Sequence, residues 1–328
     1  MSPLVAALAC AFVAWWLGTG VVLWLQRRLD RTVDDVHPDV GDAGATAGDD
    51  GPEAATARPA YRRAPIGAAL GLAATVATVV LLGTSTTLTA GASLAGFAAA
   101  IALWGTFELA WALGFLTGTH RRACPDGARG WSRFRLALGT SVHHEIAVLA
   151  TGAGASVLLL HAANPTGALS FVVLWLMRWS AKLNLFLGVP NFSTEWFPAR
   201  HAHLASYVRR SRPSAFFPVA LVAASIVAAL LYRLALEADG DAALVYALPG
   251  TLLALAVLEH LFLALPVADL ELWNRWFARP GPTGDADGGA PVVPTPRDAG
   301  TRGAGPRASV PACAAAAVPL ATPLPGSR

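Results

Sequence analysis

The stretch "LWLMRWSAKLNLFLGVPN", residues 174–191, lies inside a long apolar segment and yet carries two charges, Arg178 and Lys182. Lys182 is the only lysine of the chain. The chain as a whole is 55% hydrophobic and 14% charged, whereas an ordinary soluble domain has about 25% charged residues. This composition indicates a membrane protein in which a few ionisable residues occupy apolar helices.

Seven apolar blocks are long enough to cross a bilayer as helices, which takes about 20 residues each. They are rich in Leu, Ala and Val, and none alternates polar and apolar residues as a strand of an outer-membrane barrel does. The sequence therefore predicts an all-α polytopic integral membrane bundle of seven transmembrane helices. The blocks are residues 4–25, 64–83, 92–117, 137–161, 167–188, 214–235 and 243–266.

Arginines occur in every second connection between these blocks. They follow the first, third, fifth and seventh blocks, and they are absent from the other three connections. Because positive residues of short loops stay on the cytoplasmic side, the N-terminus is predicted to be periplasmic and the C-terminus cytoplasmic. The predicted organisation is a first transmembrane helix (1–31), a cytoplasmic, largely disordered insert (32–63), the six-helix remainder of the bundle (64–279) and a disordered cytoplasmic tail (280–328).

Ionisable residues occur on four of the predicted helices at similar distances from their cytoplasmic ends. A charge deep in hydrocarbon costs at least about 2.5 kcal/mol, so it normally faces the bundle interior and has a partner. At about 1.5 Å per residue, Lys182 and Glu259 lie roughly 10 Å, His144 about 12 Å and Glu108 about 15 Å from those ends. We therefore predict one intramembrane polar site. Its candidate residues are Glu108, His143, His144, Glu145, Arg178, Lys182, Asn184, Glu259 and His260.

The charges of this layer nearly balance, because three carboxylates face two cations. One protonated histidine or one protonated carboxylic acid would neutralise the sum, and burial favours neutral forms of both. The pattern is consistent with a structural ion-pair network and also with a binding site. A histidine could be an axial ligand of a tetrapyrrole. No H-E-x-x-H or E-x-x-H pair occurs, so no metal ion is predicted, and no nucleophile–base pairing or phosphate-binding glycine loop predicts a catalytic residue.

Two predicted cytoplasmic loops, 119–135 and 189–213, are candidate docking surfaces for a partner. "CPDGARGW" (124–131) combines a proline with two glycines in a defined turn, which a loop that only sets topology would not require. In the second loop, Pro190 ends the preceding helix. The candidate docking residues are Arg121, Arg122, Arg129, Trp131, Arg133, Pro190 and Asn191.

Five stretches in this order carry a family resemblance: "WGTFELAWALGFLTG" (104–118), "CPDGARGWSRFR" (124–135), "HHEIAVLATG" (143–152), "LWLMRWSAKLNLFLGVPN" (174–191) and "LEHLFLALP" (258–266). Together they resemble the PuhE-like photosynthetic complex assembly proteins of anoxygenic phototrophic bacteria, over about residues 4–31 and 64–277. The resemblance implies a multi-pass protein of the bacterial inner membrane, cytoplasmic or intracytoplasmic. It supplies no catalytic residue.

This resemblance implies a non-enzymatic assembly factor for the reaction centre or its antenna. Its expected partners are the lipid bilayer and photosynthetic complex subunits or other assembly factors, with bacteriochlorophyll as a candidate ligand and no nucleic acid. Its polar intramembrane site would bind a partner subunit or the pigment. The alternative is a transporter or pigment shuttle that uses the ionisable layer to move protons or a charged substrate.

Overall fold

The computed structural model describes residues 3–34, 52–192, 197 and 199–265, and these residues are mainly helical. A 3₁₀ helix, Ala199–Tyr207, lies between the sixth and seventh α-helices. The described part of the chain contains no strand, only an isolated bridge between Val189 and Arg210. The α-helices are α1 (Pro3–Asp34), α2 (Pro52–Thr84), α3 (Ala90–Ala112), α4 (Gly130–Gly139), α5 (Val142–His161), α6 (Thr166–Leu187), α7 (Phe216–Glu237) and α8 (Ala242–Ala264).

Six of these helices are long and apolar enough to cross a membrane: α1, α2, α3, α5, α7 and α8. The length and composition of these helices confirm that the described part of the chain is helical and of the multi-pass type. The 22 residues of α6 span about 33 Å, which matches a hydrocarbon core of about 30 Å. Its polar residues Arg178, Lys182 and Asn184 lower its hydropathy. The seventh span and the orientation of the termini therefore stay predictions.

Three helices, α3, α6 and α8, form the middle of the bundle. α1 packs on α8 and α3, α2 on α3, α5 on α6, and α7 on α8. α3 and α6 approach each other closely at two glycines, because a Cβ on Gly167 would lie only 2.7 Å from the carbonyl oxygen of Gly96. Glu108 and Arg178 lie about 18 and 17 Å further along these two helices. The parallel course of α3 and α6 therefore brings both side chains to one level.

The predicted block 137–161 is not one continuous helix. α4 ends at Gly139 and α5 begins at Val142, with a corner between them. The backbone N–H groups of Gly118 and His120 donate to the carbonyl oxygens of Thr140 and Gly139, both at 3.0 Å. In a continuous helix the same carbonyl groups would accept hydrogen bonds from N–H groups four residues later in the chain. The membrane helix is therefore shorter than predicted, and part of the docking loop 119–135 is helical.

Two further boundaries differ from the prediction. α3 ends at Ala112 instead of continuing to 117, and Gly114 follows with a φ of 81°, a left-handed conformation that favours glycine. α2 begins at Pro52, inside the segment predicted as a disordered insert. Proline suits the first position of a helix because its missing N–H would have no partner there. Insert residues 35–51 and the tail 280–328 lie outside the described residues.

Candidate functional site

Two ion pairs connect α6 to its neighbours α3 and α5. Arg178 and Lys182 are one turn apart on the same face of α6. Arg178 Nη2 donates to Glu108 Oε2 of α3 at 2.8 Å. Lys182 Nζ donates to Glu145 Oε1 of α5. The two cations of α6 therefore reach carboxylates on two different helices.

His144 lies between these two ion pairs and completes the group of five residues that we call the charge cluster. Its side chain is 1% exposed. Its Nε2 is 3.8 Å from Glu108 Oε1, and its Nδ1 is 3.6 Å from Glu145 Oε1. Both separations exceed hydrogen-bond length, so neither ring nitrogen is hydrogen-bonded to these carboxylates.

The charge cluster occupies one level close to the helix ends. Glu108 lies roughly 6 Å before the end of α3, His144 about 3 Å after the start of α5, and Lys182 about 8 Å before the end of α6. The shared level agrees with the sequence-based expectation, but it is shallower than expected. The reason is that α5 begins at Val142 and not at 137, and that α3 ends at Ala112 and not at 117.

Aromatic side chains surround the charge cluster. Trp179 Nε1 donates to Glu145 Oε2 at 2.9 Å, and Ser141 Oγ donates to Oε1 of the same carboxylate at 3.1 Å. The Trp111 ring lies edge-on to His144 at 6.4 Å, and the Arg178 guanidinium lies 5.9 Å from the centre of the Trp111 ring. Glu145 is thus hydrogen-bonded on both oxygens, while Glu108 is bonded on one.

Several buried polar atoms of this region have no hydrogen-bond partner among the described protein atoms. Buried polar groups are nearly always hydrogen-bonded, so such atoms need an explanation. The unpartnered atoms can form hydrogen bonds with a bound molecule. The unpartnered atoms are Glu108 Oε1, His144 Nδ1 and Nε2, Trp111 Nε1 and Arg178 Nε.

The expected layer also included Glu259, and the structure does not bring it into the charge cluster. Glu259 is exposed on α8 and accepts a hydrogen bond from Trp15 Nε1 of α1 at 3.0 Å. Without it, the described residues of the charge cluster include two carboxylates and two cations, instead of the expected three carboxylates and two cations.

Three other predicted residues also lie apart from the charge cluster. His143 is exposed on α5. His260 is buried against α6, with its Nε2 3.0 Å from Ser180 Oγ and its Nδ1 2.9 Å from the carbonyl of Ala256. Asn184 is fully buried, and neither of its side-chain polar atoms has a partner among the described atoms.

Comparisons with known proteins show the family to which the chain belongs. A family described as "Protein of unknown function (DUF3623)" matches residues 53–284. The chain belongs to the DUF3623 family. A Rhodobacter capsulatus protein described as "Uncharacterized 30.4 kDa protein in puhA 5'region" is 33% identical over 276 residues, which cover 83% of this chain and 90% of the relative. No solved structure matches significantly. All five cluster residues lie within the family match.

The first predicted docking loop of this DUF3623 protein divides into inward and outward residues. Arg133 points inward and donates to the carbonyl oxygens of Phe186 at 3.1 Å and Tyr207 at 2.6 Å. Arg121 donates to Thr117 Oγ1 at 2.6 Å. Arg133 therefore joins α4 to the end of α6 and to the 3₁₀ helix. The outward residues of the loop are Arg122, Arg129 and Trp131.

The second predicted docking loop is held against the end of α8. Asn191 Nδ2 donates to the carbonyl oxygen of Phe262 at 2.8 Å, and the Asn191 backbone N–H donates to that of Leu263 at 3.1 Å. Pro190 is exposed just before these contacts. Asn191 thus has a structural role that the sequence did not indicate, because its partners are backbone groups of a distant helix.

The 3₁₀ helix packs beside the charge cluster through a contact between His201 and Trp111. The sequence did not predict this contact. The His201 ring stacks on Trp111 with 4.6 Å between ring centres and 7° between ring planes. Its Nε2 lies 2.9 Å from the Trp111 carbonyl oxygen, and Arg200 Nη1 donates to the carbonyl of Leu113 at 2.6 Å. Burial lowers the pKa of His201, so the neutral imidazole is favoured there. The only sequence signal was the pair of histidines in "HAH" (201–203).

Proposed function

We propose that this protein is a membrane assembly factor for bacterial photosynthetic complexes and resembles PuhE-like proteins in that role. The relative in the puhA 5' region supports this, because puhA encodes a reaction centre subunit. Neighbouring genes of bacteria often act in one process, so the location favours a role in forming that complex. The charge cluster would be the internal binding site, in a multi-pass protein of the bacterial inner membrane.

The observation that carries this proposal is the charge cluster with its unpartnered atoms. Buried ion pairs contribute little net stability compared with apolar packing of similar volume, so stability alone does not account for five ionisable residues at one level. The side chains of Arg178 and Lys182 are 31% and 29% exposed, so they remain accessible from the edge of the bundle. Ionisable residues in membrane helices are functional by default.

The chemistry of the site fits a partner that offers a carbonyl or carboxylate oxygen. Arg178 Nε and Trp111 Nε1 are buried donors without an acceptor among the described residues. An oxygen of a partner subunit's transmembrane helix, or a carbonyl of bacteriochlorophyll, would supply the acceptor. Both partners bring their oxygens into a low-dielectric region, where each hydrogen bond is strengthened.

The first test replaces the lysine, Lys182→Met, in the native host. We expect photosynthetic complexes to accumulate to well under half of the wild-type level, while the amount of the variant protein in the membrane stays unchanged. The charge-neutral double variant Glu145→Gln/Lys182→Met removes the pair without leaving an unpaired charge, which separates folding from function. Arg233→Gln, at an exposed ion pair with Glu237, is the matched control. Normal complex accumulation at wild-type protein level would remove the charge cluster as the working site.

A second experiment distinguishes the two partners. The full chain is purified in mild detergent, its absorption spectrum is recorded, and the proteins that accompany it are identified. A bacteriochlorophyll band that disappears in Lys182→Met would favour the pigment. A photosynthetic subunit without pigment would favour a partner helix.

The alternative, a transporter or pigment shuttle, is supported by the position of His144 between two carboxylates. Such an arrangement can pass a proton from one carboxylate to the other. It requires water at the charge cluster. Trp111→Cys, at the residue whose ring lies against His144 and Arg178, should then react with a water-soluble maleimide from one side of the membrane in a variant without native cysteines. Protection from both sides would argue against transport.

A further inference from the structure

A cleft at the membrane boundary lies apart from the charge cluster, between the chain at 119–120 and α4. Its volume is about 400 Å³, and it is lined by Thr119, His120, Ser132, Arg135, Leu136 and Gly139. α4 ends at the corner from which the membrane helix α5 begins. The cleft is therefore at the level where lipid headgroups meet the protein.

The cleft offers cationic and hydrogen-bonding groups that are not used elsewhere. The guanidinium of Arg135 is exposed and has no ion-pair partner in the described ranges. His120 Nε2 is buried and without a hydrogen-bond partner among the described atoms. A guanidinium presents its donors in a fork that matches two oxygens of a phosphate.

The walls of the cleft are fixed before any ligand binds. The backbone of His120 is hydrogen-bonded to Gly139, as described above, and a Cβ on Gly118 would lie only 1.9 Å from the carbonyl oxygen of Gly139. The 117–120 segment therefore packs tightly on the corner between α4 and α5. A preformed site costs less ordering entropy on binding than a flexible loop does.

An aromatic residue beside the cleft fits the interfacial region of a bilayer. Trp131 is 69% exposed and stacks on Phe134, with 5.2 Å between the ring centres. Tryptophan is enriched at the headgroup level of membranes because its ring is apolar and its N–H is polar. Leu136 provides an apolar wall against which a glycerol or the start of an acyl chain can lie.

We propose that this cleft binds the phosphate of an anionic phospholipid headgroup, with Arg135 as its main cationic contact and His120 and Thr119 as hydrogen-bonding groups. The lipid would hold α4 at the membrane surface. This inference does not depend on the proposed function, because it uses none of the residues of the charge cluster.

The test uses the full chain in a neutral detergent and native mass spectrometry. Dioleoylphosphatidylglycerol and dioleoylphosphatidylcholine are added separately, and the fraction of protein with one bound lipid is measured. We expect the wild type to retain phosphatidylglycerol in preference to phosphatidylcholine. Arg135→Gln should reduce phosphatidylglycerol binding about fivefold, the effect of one cation near an anionic surface. Arg129→Gln is the matched control, because Arg129 is exposed nearby but does not line the cleft.

The outcomes are distinguishable. Equal losses in Arg135→Gln and Arg129→Gln would mean general attraction and overturn the site. Equal binding of the two lipids by the wild type would overturn it as well. Complete displacement of the lipid by excess inorganic phosphate would assign the cleft to free phosphate and overturn the lipid proposal. Should Arg135→Gln melt at a lower temperature than the wild type, Thr119→Asp gives a second reading, since its carboxylate should repel the same headgroup.

Discussion

The two ends of the bundle use polar residues in different ways. Far from the charge cluster, Asn164 is 3% exposed and both polar atoms of its side chain are hydrogen-bonded. Its Oδ1 accepts from the hydroxyls of Thr166 at 2.7 Å and Ser93 at 3.3 Å, and its Nδ2 donates to the carbonyl of Thr84 at 3.2 Å. This neutral network joins the ends of α2, α3 and α6.

The charge cluster, in contrast, consists of ionisable side chains and is partly exposed and incompletely hydrogen-bonded. A fully satisfied neutral network is what packing requires, because each buried polar group has a partner. A cluster with unpartnered donors and acceptors stabilises the fold less well and keeps groups available for a ligand. The Asn164 network thus joins helices through satisfied polar groups, whereas the charge cluster leaves polar atoms without partners among the described residues.

The largest effect should come from the close crossing near the Asn164 end. Gly167→Leu places side-chain atoms against the backbone of Gly96, and we expect little folded protein, since overpacking in a close-packed interior costs about 1–3 kcal/mol or more. Gly154→Leu is the control, because a Cβ at Gly154 meets no atom within 4 Å. Detergent-solubilised yield and melting temperature are the measurements. Comparable loss in both variants would mean that the crossing does not hold the bundle together.

Two buried asparagines, one near each end of the bundle, test this difference with a smaller expected effect on stability. Asn164→Leu should destabilise the protein by about 1–3 kcal/mol, because it leaves buried groups without partners. Asn184→Leu should leave stability unchanged or raise it slightly, because its buried amide has no partner among the described atoms. Denaturant unfolding in mixed micelles measures both.

If Asn184→Leu is as damaging to folding as Asn164→Leu, the two ends of the bundle do not differ in how they use buried polar residues. If Asn184→Leu folds normally but photosynthetic complexes do not accumulate, its amide belongs to a binding site. That result would extend the functional region from the charge cluster toward α8.

Much of this arrangement could be predicted from sequence. Long apolar runs indicated the helices, and the one-turn spacing of Arg178 and Lys182 placed them on one face. The shared level of Glu108, Glu145 and these cations followed from counting residues along helices, because the rise per residue is constant.

The remaining features depend on tertiary contacts. Glu259 is as far from the end of α8 as Lys182 is from the end of α6. However, α8 packs against α1, and the Glu259 carboxylate is hydrogen-bonded to Trp15. The corner at 139–141 depends on backbone hydrogen bonds from residues 118 and 120, which are close in space but about 20 positions earlier in the chain, outside the α4 sequence. The stacking of His201 on Trp111 joins residues 90 positions apart. Periodicity within one segment cannot predict such pairs.

The smallest effect should come from pH at the contact between the 3₁₀ helix and Trp111. Burial lowers the pKa of His201 below its unfolded value of about 6.5, and Arg200, Arg121 and His203 nearby also disfavour its protonation. The stabilising contribution is therefore complete above about pH 6.5 and is lost as pH falls through the folded pKa, because the unfolded state binds the proton first.

We therefore expect amide hydrogen exchange of residues 199–207, corrected for intrinsic rates, to be faster at pH 5.5 than at pH 7.5. His201→Phe keeps the stacked ring without a titrating group, so it should remove most of this dependence and leave only the part due to His203, whose pKa burial also lowers. The Asn164 network contains no titrating group, so exchange near it should not change between the two pH values. An equal response at both ends would show that acid acts on the whole bundle and not on this contact.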